Sequence, residues 1–268
     1  MTDKYAVIGN PIAHSKSPLI HRMFAEQTGQ DISYESILAP LDGFVATVER
    51  LRKEGYKGCN VTVPFKFEAF KIATELSERA RSAQAVNTLS LDGDAIRGDN
   101  TDGAGLVRDI EHNLGISLQG RRTLLMGAGG AAYGVALPLL DAGMKLWVAN
   151  RTASKAVELA AKFPARTIRG CGYDELGGVQ FDIVINATSS GLTGEMPPLP
   201  PGIFAPGALA YDMMYGRETS FMKFAREHGV AVIADGLGML VEQAAEAFFI
   251  WRGVRPETAL VIAALRLP

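Results

Sequence analysis

The sequence has few cysteines, no block of positive charge and no long hydrophobic run, and each absence excludes a class of protein. Its two cysteines, Cys59 and Cys171, have neither the spacing of a metal site nor the number that a disulfide framework needs. A single bridge between them is conceivable, but two reduced thiols in a cytoplasmic protein are the simpler expectation. We therefore predict neither a metal site nor a disulfide scaffold.

The charges are nearly balanced, with 27 Lys and Arg against 29 Asp and Glu. No basic block is interleaved with aromatic residues, which argues against a nucleic-acid partner, and no basic stretch indicates a membrane surface. The apolar run near the N-terminus is far too short for a signal peptide, and no stretch approaches the length of a membrane span. We expect a cytoplasmic protein that binds neither nucleic acid nor membrane.

The sequence does contain enough apolar residues for a packed core. Of its 268 residues, 47% are hydrophobic and 21% are charged. This composition is typical of a globular protein with one large domain or two modest ones. Strand-like and helix-like periods alternate along the chain, and this alternation predicts the α/β class with mainly parallel sheets.

The predicted elements follow from these periods. The predicted strands are residues 5–9, 32–39, 58–64, 122–126, 145–149, 181–187, 208–215 and 230–235. The predicted helices are residues 18–29, 44–55, 68–83, 103–115, 153–163, 219–228 and 237–252, one that ends at Gly143 and one that starts at Pro256. Asp92 and Gly93 predict a hairpin between 85–91 and 95–98, and the Pro-rich stretch 197–206 predicts a loop.

A glycine-rich turn follows the strand at 122–126 and opens a helix. Gly127 permits the tight turn, Gly129 lets the backbone approach a pyrophosphate, and the small Ala132 lets the helix pack closely on the strand. The helix N-terminus then faces the phosphates. Such a turn alone is weak, since many α/β proteins need one for steric reasons. With a strand before it and a helix after it, it predicts dinucleotide binding.

The residues after the next strand predict the choice of cofactor. NAD-binding proteins usually place Asp or Glu there, about 20 residues beyond the glycines, and methyltransferases that use S-adenosylmethionine also favour an acid. This chain has Asn150, Arg151 and Thr152, with Lys155 one turn later. A cation and hydroxyl donors suit a 2′-phosphate, and Arg can stack on adenine. We predict NADP; the alternative is a surface Arg before a Thr helix cap.

Polar residues in the first half of the chain form a candidate anion and polyol site. Ser15 and Ser17 precede a helix whose first position is Pro18, so they either bind an anion or merely cap the helix, with Ser17 as the N-cap. Thr62 and Lys66 follow a strand, at the end where open α/β sheets bind ligands. Lys66 alone is better explained as a structural lysine whose head reaches water.

Asn87 and Asp102 each interrupt an apolar or glycine-rich context near a strand end. Each alone is explained by a turn, since Asn and Asp are turn residues. Combined with a nucleotide-binding fold and with Lys66, they predict a polyol site.

An ordered set of motifs covers nearly the whole chain. These are GNPIAHSKSP, NVTVPFK, AVNTL, GDNTDG, GAGGAA, NRT, NATSSG, YDMMY and DGLGMLVEQA. In these motifs and their order, the chain resembles the shikimate dehydrogenase family, NADP-dependent enzymes of aromatic amino acid biosynthesis.

The resemblance implies an α/β substrate-binding domain over residues 1–102 and a Rossmann-like NADP-binding domain over residues 103–236. It implies that C-terminal helices, residues 237–268, return to the first domain. The implied activity is the reversible, NADPH-dependent reduction of 3-dehydroshikimate to shikimate in chorismate biosynthesis. A small-molecule substrate and NADP are the implied ligands, in a monomer or homodimer.

The resemblance also assigns roles by motif position. Ser15, Ser17 and Tyr215 would bind the carboxylate, and the residues for the ring hydroxyls would be Thr62, Lys66, Asn87, Asp102 and Gln243. The implied NADP contacts are Gly127, Ala128, Gly129, Gly130, Ala131, Asn150, Arg151, Thr152, Lys155, Met213 and Gly236. Many relatives have Arg in place of Lys155, which keeps the charge but loses the bidentate geometry. NATSSG, residues 186–191, either lines the nicotinamide end or is only a loop after a strand.

Ketone reduction requires a hydride and a proton. The cofactor supplies the hydride, so the protein must supply orientation and a proton donor. Lys66 and Asp102 are the candidate pair, because a lysine ammonium is protonated at neutral pH and can donate. The sequence leaves open whether Lys66 moves the proton or holds a hydroxyl while Asp102 shares the transfer.

Other functions fit parts of this pattern. A quinate/shikimate dehydrogenase with relaxed cofactor use is the nearest, but such relatives tend to carry an acid where this chain has Arg151. A non-catalytic sensor of the same ligands is disfavoured by the intact Lys66 and Asp102. A methyltransferase is disfavoured by Arg151.

Overall fold

The structure, a computed structural model, describes residues 2–91, 93–188 and 196–266. The chain divides into two compact units: unit 1 comprises Met1–Gly105 and Leu240–Pro268, and unit 2 comprises Leu106–Met239. In the described ranges, no helix has the length and apolar character that would let it cross a membrane.

The elements are named in chain order. The strands are β1 (Asp3–Gly9), β2 (Ile32–Leu38), β3 (Tyr56–Val61), β4 (Glu75–Leu76), β5 (Thr88–Ser90), β6 (Arg97–Asp99), β7 (Arg122–Met126), β8 (Lys145–Ala149), β9 (Ile168–Cys171), β10 (Phe181–Asn186), β11 (Phe204–Asp212) and β12 (Val232–Ala234). The helices are α1 (Ser17–Thr28), α2 (Phe44–Lys53), α3 (Lys66–Ile72), α4 (Glu78–Ala83), α5 (Asp102–Arg108), α6 (Gly130–Asp141), α7 (Ala153–Ala161), α8 (Ser220–Glu227), α9 (Leu237–Arg252) and α10 (Ala259–Arg266).

The strands of unit 1 form a sheet in the order β2-β1-β3-β5-β6-β4. β1 pairs in parallel with β2 and β3, whereas β5 is antiparallel to both β3 and β6. The carboxyl ends of β1 and β3 therefore lie at the same edge, where open α/β sheets bind ligands. β5 and β6 form the predicted hairpin, and Asp92 of the hairpin turn lies outside the described residues.

The strands of unit 2 form a sheet in which every pair is parallel, in the order β12-β11-β10-β7-β8-β9. Numbered from β7 and read from β9, this order is 3-2-1-4-5-6, the Rossmann arrangement. The strand order reverses between β7 and β10, which marks their carboxyl ends as the place for a nucleotide. The predicted α/β class, with two mainly parallel sheets and a Rossmann-like unit, is confirmed.

Apolar clusters cover both faces of each sheet, because both sheets are packed between helices. In β7, the neighbours Leu124 and Leu125 are both fully buried, but they join different clusters. This division follows from the two-residue period of a strand. In unit 1, α1 packs on α9 through Phe24 and Phe248. Both cysteines are free and buried, and burial raises the pKa of Cys59 to about 12 and that of Cys171 to about 11.

The predicted helix over residues 68–83 is wrong, because this segment forms α3, β4 and α4 instead. The backbone of Ala73 is extended, and the Thr74 N–H donates to the Ile96 oxygen at 2.8 Å. β4 then pairs with β6, and the Ser77 hydroxyl caps α4 by accepting from the Ala80 N–H at 3.1 Å. Pairing with a distant strand overrides the local helix propensity.

Several predicted boundaries also differ. β3 ends at Val61 rather than Pro64, and β11 starts at Phe204, inside the predicted loop, because Phe204 pairs with Phe181 of β10. The predicted helix 103–115 continues past α5 as a π-helix, Asp109–Asn113, and the last helix starts at Ala259 rather than Pro256. The short edge strand β9 carries no strong alternation and was not predicted.

A buried histidine of unit 1 is held without charge. His21 of α1 stacks on the Tyr34 ring at 4.1 Å between centroids and also contacts Phe24, Phe248 and Trp251. Its ring nitrogens have no hydrogen bond of standard geometry to a described residue. Burial lowers the pKa of His21 from 6.5 to about 3, and an interaction with the Asn60 side chain acts in the opposite direction.

We expect unit 1 to lose stability on mild acidification through His21. Because the folded pKa lies below the unfolded one, the unfolded chain binds the proton more tightly. The contribution is complete above the unfolded pKa of 6.5 and is lost as the pH falls towards 3. Between about pH 7.5 and pH 5 this amounts to about 2 kcal/mol in the free energy of unfolding.

Urea unfolding at the two pH values measures this effect. Trp251 lies in unit 1 and reports its unfolding by fluorescence in a Trp147→Phe background. In His21→Phe, the difference in unfolding free energy between the two pH values should shrink by that amount, whatever the substitution does to packing. The exposed His14, replaced by Phe, is the control. An unchanged pH dependence in His21→Phe would contradict the assignment.

Candidate functional site

The carboxyl end of β3 positions the lysine of NVTVPFK. The Thr62 N–H still donates to the Ile8 oxygen at 2.9 Å, and the Phe65 N–H then donates back to the Thr62 oxygen at 3.0 Å. This turn ends the strand and starts α3 at Lys66. Lys66 therefore projects from the edge of the sheet, rather than continuing the strand.

Lys66, Asn87 and Asp102 form one hydrogen-bonded cluster. The Lys66 Nζ donates to Asp102 Oδ2 at 2.6 Å, and the Asn87 Nδ2 donates to Asp102 Oδ1 at 2.8 Å. The Lys66 and Asp102 side chains retain 28% and 14% of their accessible surface, so the ion pair is largely covered but reachable. Both carboxylate oxygens are thus oriented, and the ammonium is presented beside them.

The GDNTDG loop orients this cluster. The Thr101 N–H donates to Asn87 Oδ1 at 2.9 Å, and this backbone donor directs the Asn87 Nδ2 towards Asp102. The Asp102 N–H donates to Asn100 Oδ1 at 3.2 Å at the start of α5. Thr101 is fully buried and Asn100 is 1% exposed.

Gln243 of α9 lies at the edge of the same cluster. Its Oε1 is 3.4 Å from both the Asn87 Nδ2 and the Thr101 Oγ1, and its Nε2 donates to the Leu240 oxygen at 2.7 Å. Thr62 lies at the strand end, with its backbone bonded to β1. The structure thus brings Gln243 to Asn87 and places Thr62 at the same edge of the unit 1 sheet.

Ser15 and Ser17 lie together at the start of α1, but their capping differs from the prediction. Ser17 is inside the helix and the N-cap position is Lys16, which makes no side-chain cap. The Ser15 Oγ accepts from the Ser17 N–H at 3.3 Å. The Ser17 hydroxyl is therefore not needed as a cap, because Ser15 satisfies that backbone donor.

The glycine-rich turn of unit 2 exposes backbone at the carboxyl end of β7. Gly127 has a φ of +101°, which L side chains rarely adopt, and its N–H donates to the Ala149 oxygen at 2.8 Å. Gly129 is the N-cap of α6, and no atom lies within 4 Å of where its Cβ would be. Gly130 and Ala131 form the exposed first turn of α6, whose N–H groups have no partner within the helix.

A cavity of about 510 Å³ in unit 2 joins this turn to the residues after β8. Gly127, Ala128 and Gly129 line it together with Asn150, Arg151, Thr152 and Lys155. Arg151 and Lys155 are exposed, and the Asn150 Nδ2 donates to the Thr152 oxygen at 3.0 Å, which shapes the loop. The backbone at the N-terminus of α6 and two cationic side chains thus line one cavity.

Met213 and Gly236 are neighbours at the ends of β11 and β12. A Cβ on Gly236 would lie 2.2 Å from the Met213 oxygen, so only glycine fits there. Tyr215 is half-buried in unit 2, and burial raises the pKa of its phenol. Ser15 and Ser17, with which Tyr215 was grouped by motif position, belong to unit 1.

Sequence reasoning missed several polar residues that the structure places around these sites. Tyr173 lines the unit 2 cavity, and Asn60 and Thr88 are buried beside Asn87. Asn60 could have been identified from the sequence, because it is a polar residue inside an apolar strand. Of NATSSG, residues 189–191 lie outside the described residues.

These features together define a class of protein. Unit 2 has the Rossmann strand order, an exposed glycine turn and two cations, and unit 1 has a lysine–carboxylate pair. This combination is typical of dinucleotide-dependent oxidoreductases.

Family models narrow this class. A model described as "Shikimate dehydrogenase substrate binding domain" matches residues 7–89. One described as "Shikimate / quinate 5-dehydrogenase" matches residues 109–193, and one described as "Shikimate 5'-dehydrogenase C-terminal domain" matches residues 236–266. The chain belongs to the shikimate dehydrogenase family.

Individual relatives agree with this membership. A shikimate dehydrogenase (NADP(+)) from Methylobacillus flagellatus is 64% identical over 267 residues, which cover 98% of this chain and 99% of the relative. An Ael1 enzyme from Pseudomonas putida is 51% identical, with a TM-score of 0.96 over 100% of this chain and 99% of that one. Shikimate 5-dehydrogenase from Thermus thermophilus, in complex with NADP(H) and shikimate, is 33% identical, with a TM-score of 0.88 over 99% of each chain.

Proposed function

We propose that this protein catalyses the reversible, NADPH-dependent reduction of 3-dehydroshikimate to shikimate in aromatic amino acid biosynthesis. The observation that carries the proposal is the Lys66–Asp102 pair, oriented by Asn87. It lies in a chain that aligns over 98% of its length with an NADP-dependent shikimate dehydrogenase. Unit 1 is the substrate-binding part and unit 2 the NADP-binding part.

The unit 1 residues supply the groups that a hydroxylated ring carboxylate requires. Ser15 and Ser17 bind the carboxylate. Donors and acceptors for the ring hydroxyls come from Thr62, Lys66, Asn87, Asp102 and Gln243. Since Asp102 is an acceptor and Lys66 a donor, the pair can hold one hydroxyl from both sides.

The unit 2 cavity fits NADP. The turn from Gly127 to Ala131, with the N–H groups at the start of α6, would hold the pyrophosphate, and Arg151 and Lys155, with Asn150 and Thr152, would hold the 2′-phosphate. Met213 and Gly236, which are neighbours, would complete the contacts with NADP. When bound, the reduced cofactor supplies the hydride.

Lys66 is the proposed proton donor in reduction. As the carbonyl carbon of 3-dehydroshikimate gains hydride, its oxygen gains negative charge and takes a proton from the Lys66 ammonium. Lys66 becomes neutral and regains a proton from solvent. The Asp102 carboxylate keeps the ammonium at the reacting oxygen and stabilises its positive charge before transfer.

An absorbance assay tests the function. With shikimate and NADP, we expect the purified protein to generate reduced cofactor, and we expect kcat/KM to be at least about tenfold lower with NAD, because a hydrogen bond to a charged group contributes about 1.5–3 kcal/mol. Arg151→Ala should remove most of this preference, whereas Arg166→Ala, an exposed Arg paired with Asp141, should not.

Substitute substrates separate the alternatives. Turnover of quinate as fast as shikimate, with no cofactor preference, would favour a quinate/shikimate dehydrogenase. Binding of shikimate by calorimetry without any absorbance change would favour a non-catalytic sensor and would overturn the proposal. We further propose that the protein acts in the cytoplasm as a monomer or homodimer, which light scattering distinguishes.

A further inference from the structure

A chain of hydrogen bonds in unit 1 leads from the Lys66–Asp102 pair to a tyrosine outside every role assigned above. Tyr34 lies on β2, and its hydroxyl is 2.7 Å from Asn60 Oδ1. Asn60, on β3, is 6% exposed, and its Nδ2 is 3.2 Å from the Asn87 backbone oxygen and 3.1 Å from Thr88 Oγ1. Asn87 in turn donates to Asp102.

The direction of each bond in this chain is determined by its neighbours. The Asn87 backbone oxygen can only accept, so the Asn60 Nδ2 must face it. The Asn60 Oδ1 therefore faces Tyr34, and the Tyr34 hydroxyl must donate its single proton to it. The Thr101 N–H imposes the orientation of the Asn87 side chain in the same way.

The position of Tyr34 keeps its hydroxyl aligned. Its ring stacks on His21 with an interplanar angle of 5°, which restricts the phenol to one plane. Burial raises the pKa of Tyr34 well above 10, and a hydrogen bond from Ser17 partly offsets this shift. Tyr34 thus contacts both Ser17 and the side-chain amide of Asn60.

We propose that Tyr34 is a positioning residue: by donating to Asn60 it holds Thr88, whose hydroxyl donates to Asn87 Oδ1 at 2.9 Å, and through the Asn87 side chain it orients the Asp102 carboxylate beside Lys66. The proposal rests on the proposed function for its kinetic readout only. Without the hydroxyl, the Asn60 Oδ1 is a poorly satisfied acceptor, and the amide turns to find another donor. The Asn87 backbone stays in the sheet, where its oxygen also accepts from the Val61 N–H at 2.8 Å. The Thr88 hydroxyl, however, is no longer held by Asn60, and the Asn87 side chain to which it donates becomes less well fixed.

Tyr34→Phe tests this chain of contacts. We expect kcat for shikimate oxidation to fall about tenfold, the effect of one lost hydrogen bond to a buried group, while KM changes by less than about threefold. Tyr5→Phe is the matched control. Tyr5 pairs with Tyr34 across β1 and β2 and stacks on Trp251, but its hydroxyl contacts Arg252 instead of the site.

A double-mutant cycle tests the route through Asn60. In an Asn60→Leu background, Tyr34→Phe should cause no further loss of kcat, because the connection is already broken. An equal loss in both backgrounds would overturn the proposal, as would an unchanged kcat in the single variant.

NMR of the side-chain amides gives a readout that does not depend on the reaction. We expect Tyr34→Phe to shift the Asn60 and Asn87 side-chain amide signals and Tyr5→Phe to shift neither. If the Asn87 signals stay in place, the positioning role is wrong, whether or not the protein acts on shikimate. If they move but the wild type has no activity with shikimate, the proposed function is wrong and the positioning role stands.

Discussion

Lys66→Ala is expected to lower kcat about 10²–10⁴-fold while leaving shikimate affinity within about threefold, because proton transfer is lost but most ring contacts remain. The structure gives the physical reason. The Nζ of Lys66 is 2.6 Å from the Asp102 carboxylate, so one of its N–H groups donates to Asp102. The other N–H groups of the ammonium remain for the substrate. Steady-state kinetics with calorimetric shikimate binding measures both quantities.

Two further lysine variants make this test specific. Lys71→Ala removes an exposed lysine from the same helix, α3, and should leave kcat unchanged. Lys66→Arg keeps the positive charge, but a guanidinium cannot release its proton. This variant should therefore bind shikimate but have a low kcat. If Lys66→Ala raises KM and keeps kcat near the wild-type value, Lys66 is a binding residue and not the donor.

Asp102→Asn is expected to reduce kcat roughly 10²-fold or more with the fold intact. The two carboxylate oxygens accept from two different donors, Lys66 and Asn87. An amide at this position has only one oxygen, so its NH₂ group must face one of the two donors, whichever way it turns. Lys66 also loses the negative charge that holds its ammonium at the reacting oxygen.

The control for this substitution is Asp3→Asn. Asp3 pairs with Arg252 in the same unit but lies at the start of β1, and the site lies beyond the carboxyl ends of β1 and β3. It should alter stability and leave kcat unchanged. Unchanged turnover in Asp102→Asn, with a normal circular dichroism spectrum, would remove Asp102 from the catalytic pair.

Tertiary structure decided some of the local structure against the sequence. Residues 68–83 have a helical period, but the Thr74 N–H bonds to Ile96, so the helix breaks and β4 joins the sheet. Ser17 follows the sequence pattern of an N-cap, yet its N–H donates to the Ser15 Oγ. The Ser17 hydroxyl forms a hydrogen bond with Tyr34 instead. In the first case the deciding partner, the Ile96 oxygen, is distant in the chain. In the second case a local contact with Ser15 satisfies the backbone, and the distant partner is Tyr34 of β2.

The site shows the same division. Lys66 and Asp102 are 36 residues apart, and nothing in their local patterns requires the contact that the fold makes between them. The motif order of the family suggested that these residues act together, but it did not reveal Tyr34 or Asn60. Their role depends on β2 and β3 flanking β1, which is a property of strand order.

The sequence by itself determined the α/β class, the glycine turn after β7 and the basic residues after β8. These follow from periodicity and backbone geometry within a few residues: alternation marks strands, and Gly127 adopts a positive φ that other residues avoid. Only the tertiary structure decided which polar groups share hydrogen bonds. Each such bond joins atoms brought together by parallel strands and crossovers, and its length and direction are set by packing across the sheet.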